Sequence, residues 1–167
     1  MPRVPPLEPG TLPPALGAVM AAGEQMMGFT PNDALTMARK PALLTAMLGL
    51  VRAVYEPGKV DITLKKLVGL VASSAGGCQY CVAHTAHSAH LAGVPDDKLA
   101  AVWEYASSPL YSPAERAALD FAVAAGTGGS EMSDADFRRL SDFYDEDAVL
   151  ELPATRWQAG SHAPPQD

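Results

Sequence analysis

The sequence predicts an all-α protein, and three observations carry that prediction. Leu43, Leu44, Met47, Leu50, Val51 and Val54 recur at the spacing of one helix face. No run alternates at period two with β-branched residues, as a half-buried strand would. Proline and glycine fall between the apolar segments, where helices start and stop.

The elements follow in order. Met1 to Pro14 reads as an extended proline-rich arm without a helical option, free to pack on a neighbouring subunit or to stay mobile. Leu16 to Met27 is helical in pattern, and its Met20, Met26 and Met27 are read as core rather than as a cofactor box. Thr30 is the expected cap and Pro31 the first position of a helix to about Arg39. Pro41 restarts the chain, and the stripe from Leu43 to Val54 is expected to be buried until Glu56-Pro57-Gly58 ends the helix. Asp61 to Ser74 is apolar on nearly every side except at Lys65 and Lys66, which implies burial at the centre of the domain or at a subunit interface.

Ser73 to Gly93 holds both cysteines and three of the four histidines. Gly76-Gly77 turns the backbone, a new helix starts near Cys78, and Gly93-Val94-Pro95 stops it. The helices on either side of the turn are expected to pair as a central antiparallel hairpin. Cys78 and Cys81 then share a first helical turn, roughly 60° apart, near enough for a disulfide if the turn is suitably shaped. Free amide groups and the positive end of the helix dipole stabilise a thiolate there, the reactive form of cysteine, and by this criterion Cys78 is the more acidic thiol. His84 lies one turn after Cys81 on the same face and ranks first as proton partner; His87, displaced by roughly 120°, ranks second. His90 points away. A zinc site would need four converging ligands, which Cys78, Cys81, His84 and His87 on one continuous helix do not readily supply. No metal and no cofactor is expected; dithiol redox chemistry is.

Downstream, Asp96 to Ala106 is a short helix carrying Leu99, Val102 and Trp103. Ser112-Pro113-Ala114-Glu115 combines a serine cap, proline at the first position and glutamate three residues on, opening a helix to about Ala125 that buries Ala118, Leu119, Phe121 and Ala122. Gly126 to Ser130 is a glycine-rich link without a Walker lysine. Ser133 opens a helix to about Phe143, and Asp145 to Leu152 suggests one more. Asp142, Asp145, Glu146 and Asp147 read as a solvated face and caps. Pro153 to Asp167 reads as a mobile tail with Trp157 as its anchor. One domain over residues 1–152 is expected, able to bury about two-thirds of its unfolded surface.

The run GCQYCVAHTAHSAHLAGV, with LKKLVGLVASSAGGC before it and SPAERAALDFAVAAG after it, resembles the CxxC-containing alkylhydroperoxidase D-like (AhpD-like) branch of the carboxymuconolactone decarboxylase superfamily. The likeness covers roughly Pro31 to Leu152 and implies an AhpD-like helical bundle. It also implies a thiol-dependent peroxidase acting on small organic hydroperoxides: one thiolate is oxidised, the other resolves it as a disulfide, and a thiol or dithiol reductant protein restores both. By position Cys81 would attack and Cys78 resolve, opposite to the order that helix electrostatics favours. Two positions depart from the alkylhydroperoxidase pattern: Thr85 stands where its histidine falls, and Lys66 stands where its relay glutamate falls, twelve residues before Cys78. The resemblance further implies a homo-oligomer, a dimer, trimer or hexamer. A lactone decarboxylase and a non-enzymatic thiol redox sensor are the alternatives.

Composition excludes other classes. A net charge of −7 offers no basic footprint for a nucleic-acid backbone. The apolar runs are far shorter than the roughly 20 residues a membrane helix needs, and MPRVPPLEPGTLPP is too broken by proline for a secretory segment. The expected location is cytoplasmic, where a reducing thiol pool would return a catalytic pair to the dithiol.

Overall fold

The computed structural model describes residues 3–127 and 133–152. Among the described residues there is no strand, and the helices are α1 (Pro14–Met27), α2 (Asn32–Met37), α3 (Pro41–Tyr55), α4 (Ile62–Ala75), α5 (Gln79–Leu91), α6 (Asp96–Ala100), α7 (Pro113–Gly126), α8 (Asp134–Ser141) and α9 (146–152). The expected tail with Trp157, and the glycine-rich link from residue 128 onward, lie outside the described residues. None of the described helices is long and apolar enough to cross a membrane. Contacts group the chain into two compact units, residues 1–53 and 54–167.

In the first unit Leu16 and Met20 of α1, Leu35 of α2 and Leu44 of α3 form one cluster with Ala38, and Leu7 and Leu12 pack against it. The N-terminal arm differs from expectation in two ways. It contains a short 3-10 turn, Pro9–Thr11, and it is fastened within its own unit: Leu7 N–H donates to Leu35 O and Arg39 Nε to Pro5 O. Thr30 is not the cap of α2. Its hydroxyl donates to Glu24 Oε2, and Pro31 takes the cap position, so that carboxylate competed successfully for the hydroxyl. The α3 stripe is only partly buried as well. Leu44 and Val54 are buried, but Leu43 is 47% exposed.

In the second unit α4 is the central element, packed against both α5 and α7. Asp61 caps it by accepting the Thr63 N–H, and the residues Leu67 to Ser73 are all buried. The core joins Leu64, Leu67, Val68 and Val71 of α4 to Ala89 of α5, Ala118, Leu119 and Ala122 of α7, Leu140 of α8 and Leu152 of α9. The helix expected over Asp96 to Ala106 is shorter, ending at Ala100 and followed by a 3-10 turn, Val102–Glu104. Val102 is buried while Trp103 is 56% exposed. The two Ser-x-x-acid boxes form as the sequence spells them: Ser112 with Glu115 opens α7, and Ser133 with Asp136 opens α8.

The acids near the C-terminus are more than a solvated face. Lys59 Nζ reaches Asp145 Oδ2 at 2.6 Å and Asp147 Oδ2 at 2.7 Å. Behind this pair, Lys65 is buried with 2% of its side chain exposed, its Nζ 2.8 Å from Glu151 Oε2. It also donates to Val54 O at 3.0 Å and Glu56 O at 3.2 Å, which spreads the ammonium's three protons over three acceptors.

Candidate functional site

Why the two cysteines meet follows from the turn between α4 and α5. Gly76 ends α4, and Gly77 takes φ 69°, a left-handed conformation that glycine reaches without steric cost. The Cys78 N–H donates back to Ser73 O at 3.1 Å, so the next helix starts at once. Cys78 is the residue that caps α5, with extended backbone, rather than lying inside its first turn. Its sulfur accepts the Cys81 N–H at 3.2 Å, the place a serine oxygen would occupy in an ordinary cap. Cys78 and Cys81 are joined as a disulfide, their Cα atoms 5.3 Å apart. Cys78 is 7% exposed and Cys81 2%.

The two histidines read from the sequence are placed differently. His84 is half-buried, its ring 6.1 Å from that of Tyr80 and tilted by 53°. His87, three residues after His84, is exposed. His90 is also exposed, and its Nδ1 lies 2.9 Å from Asp96 Oδ1. Tyr80, between the cysteines in sequence, is 44% exposed, an aromatic side chain outside the thiol and histidine set expected above. Its position in the motif was the available signal.

The two departures from the alkylhydroperoxidase pattern have separate structural outcomes. Thr85 turns its hydroxyl to its own helix, donating to Cys81 O at 2.7 Å, so that oxygen is committed to backbone. Lys66 sets its ammonium over the ring of Tyr55, and burial lowers its pKa to about 8. Glu115 serves its capping box and pairs with Lys98. Burial alone would raise its pKa, but Lys98 and the Ser112 N–H and hydroxyl hold it below the ordinary value.

The class is therefore defined by fold and motif together: an all-helical protein whose CxxC pair is bonded at the start of a helix packed on a buried central one. The carboxymuconolactone decarboxylase family model matches residues 41–124, and the chain belongs to that family. Among solved structures it is similar to the debrominase Bmp8, both in its apo form and as a cysteine-to-alanine variant in complex with 2,3,4-tribromopyrrole. Identity is 35% and 34% respectively, with a TM-score of 0.89 over 96% of this chain and 86% of that one. An AhpD-core, peroxidase-related protein from Ralstonia eutropha JMP134 shares the fold at 22% identity, with a TM-score of 0.80 over 96% of this chain and 87% of that one. YnjA of Escherichia coli (strain K12) is 34% identical over 95 residues, 57% of this chain; the match spans about half, 52%, of YnjA's length.

Proposed function

We propose that this protein is a thiol-dependent oxidoreductase in which Cys78 and Cys81 pass two electrons to a small electrophile, a hydroperoxide in the leading reading. The observation that carries it is the Cys78–Cys81 bond at the start of α5, one end state of such a cycle. From the dithiol, a thiolate attacks one oxygen of ROOH, the O–O bond breaks, and the leaving alkoxide takes up a proton and departs as ROH. The resulting sulfenic acid is attacked by the second thiol, water departs and the disulfide closes. A thiol or dithiol reductant then supplies two electrons and two protons. His84 is the group assigned to hold the thiol proton between these steps, with His87 as the outer alternative.

A second reading is favoured by the similarity to Bmp8, which exceeds that to the peroxidase-related structures. Here the acceptor is a brominated aromatic: two thiols and one carbon–bromine bond give one disulfide, one carbon–hydrogen bond and hydrogen bromide. Both readings use the same pair of thiols. The test is oxidation of a supplied dithiol by an organic hydroperoxide, run beside bromide release from a bromopyrrole, for the parent and the double Cys78→Ser/Cys81→Ser variant. Turnover in one assay that the double variant loses selects that acceptor. A double variant as fast as the parent ends the thiol assignment.

A further inference from the structure

We infer that Cys78 is the nucleophilic thiol of the pair and Cys81 the one that closes the disulfide. This rests on the dithiol reading above and reverses the order that position in the family motif implies.

The reason is the cap. Cys78 stands immediately before the first residue of a 13-residue helix, and its sulfur receives the N–H of Cys81, the third helical residue, at 3.2 Å. That donor remains on the backbone when the disulfide is reduced, because α5 itself supplies it. A thiolate at this site gains a hydrogen bond and the favourable end of the helix dipole, which holds its proton less tightly. Cys81 lies three residues inside the helix, where its own N–H already points at its neighbour's sulfur.

Access agrees with electrostatics. Cys81 is the more buried of the two, and Cys78 is flanked in sequence by the exposed Gly77 and Gln79. Gly77 has no side chain to screen the approach. In this order the acceptor and an incoming reductant thiolate both approach at Cys78, the less buried of two buried residues. Attack at Cys78 then releases Cys81 as the leaving sulfur. In the forward direction Cys78 becomes the sulfenic acid. Cys81 attacks it, and the Cys81 proton leaves with the displaced hydroxide as water, with His84, one turn after Cys81, placed to carry it.

The test is made on the full chain after reduction. Sub-stoichiometric iodoacetamide is applied across pH 5 to 10, and the labelled peptide is read by mass spectrometry in the parent protein and in Cys78→Ser and Cys81→Ser. The expected result is label mainly on Cys78 in the parent, with a reaction midpoint below the ~8.5 of an ordinary thiol, and alkylation at pH 7 at least about tenfold slower in Cys78→Ser than in Cys81→Ser. Preferential label on Cys81, or equal rates in the two single variants, overturns the assignment. The parent measurement decides the matter even if a variant misfolds. Because alkylation needs no acceptor, loss of the functional reading would show separately, as a parent protein that turns over neither hydroperoxide nor bromopyrrole.

Discussion

Lys66 Nζ lies 3.3 Å from the centroid of the Tyr55 ring, which ties the second residue of the Lys65-Lys66 pair to the last turn of α3. Cation and ring attract, but the ammonium has given up much of its water, and its pKa falls to about 8.

That shift predicts a pH profile for stability. Between about pH 8 and the 10.5 of an unperturbed lysine, the unfolded chain holds a proton on this group that the folded chain has released. Stability from Lys66 should therefore rise with pH across that window. Above pH 10 the tyrosines reverse the trend, because burial pushes the Tyr55 pKa up to about 12 and the unfolded chain ionises first. Urea midpoints from pH 7 to 11 should pass through a maximum near pH 10. Lys66→Met should flatten the rising limb and leave the falling one.

The buried Lys65 depends on Glu151. Glu151→Gln leaves the ammonium with two carbonyls and no counter-charge, and should cost about 3 kcal/mol, the scale for breaking a buried pair. Replacing both partners, as Lys65→Met with Glu151→Leu, should recover a large part of this. If the double variant is as unstable as the single one by chemical denaturation, the counter-charge is not what matters.

Acid should act on the same clasp. Burial would raise the Glu151 pKa, but Lys65 and the N–H groups of Lys59 and Val60 outweigh it and hold the carboxyl below its ordinary 4.5. Its stabilisation is complete above that value and is lost as pH falls through the lowered one. The parent should lose stability steeply below pH 4.5, and Glu151→Gln should lose less over the same range.

Gly126 of α7 lies tight against α4. A methyl group there would lie 2.5 Å from Ala72 O and 2.6 Å from the Ala75 side chain, both fixed by α4. Gly126→Ala should cost about 1–3 kcal/mol through forced separation of the helices, although alanine is the better helix former. Thermal melting will show it as a Tm lower by several degrees. An unchanged or raised Tm would mean that the two helices part freely.

Much of the architecture was legible because its signals are local. Serine caps with an acid three residues on, glycine before a helix and proline at its first turn act within one turn of backbone. The starts of α7 and α8 and the Gly-Gly turn into α5 therefore appear where their residues say. The meeting of the two cysteines was legible for the same reason: two cysteines three residues apart at a helix start can reach each other through that turn alone. Where a local rule failed, a longer-range partner had won. Thr30 was drawn from its cap by Glu24, and Pro5 and Leu7 of the arm found partners at Arg39 and Leu35.

By itself the sequence determined the helical class, the order of most elements and the closeness of Cys78 to Cys81, all consequences of short-range backbone chemistry. Tertiary structure alone decided that Lys65 is buried against Glu151, that Lys66 faces Tyr55, and that Cys78 is the less buried residue of the cysteine pair. Those outcomes depend on how helices distant along the chain pack, and on which charge pays least for leaving water. No spacing of residues within one helix carries that information.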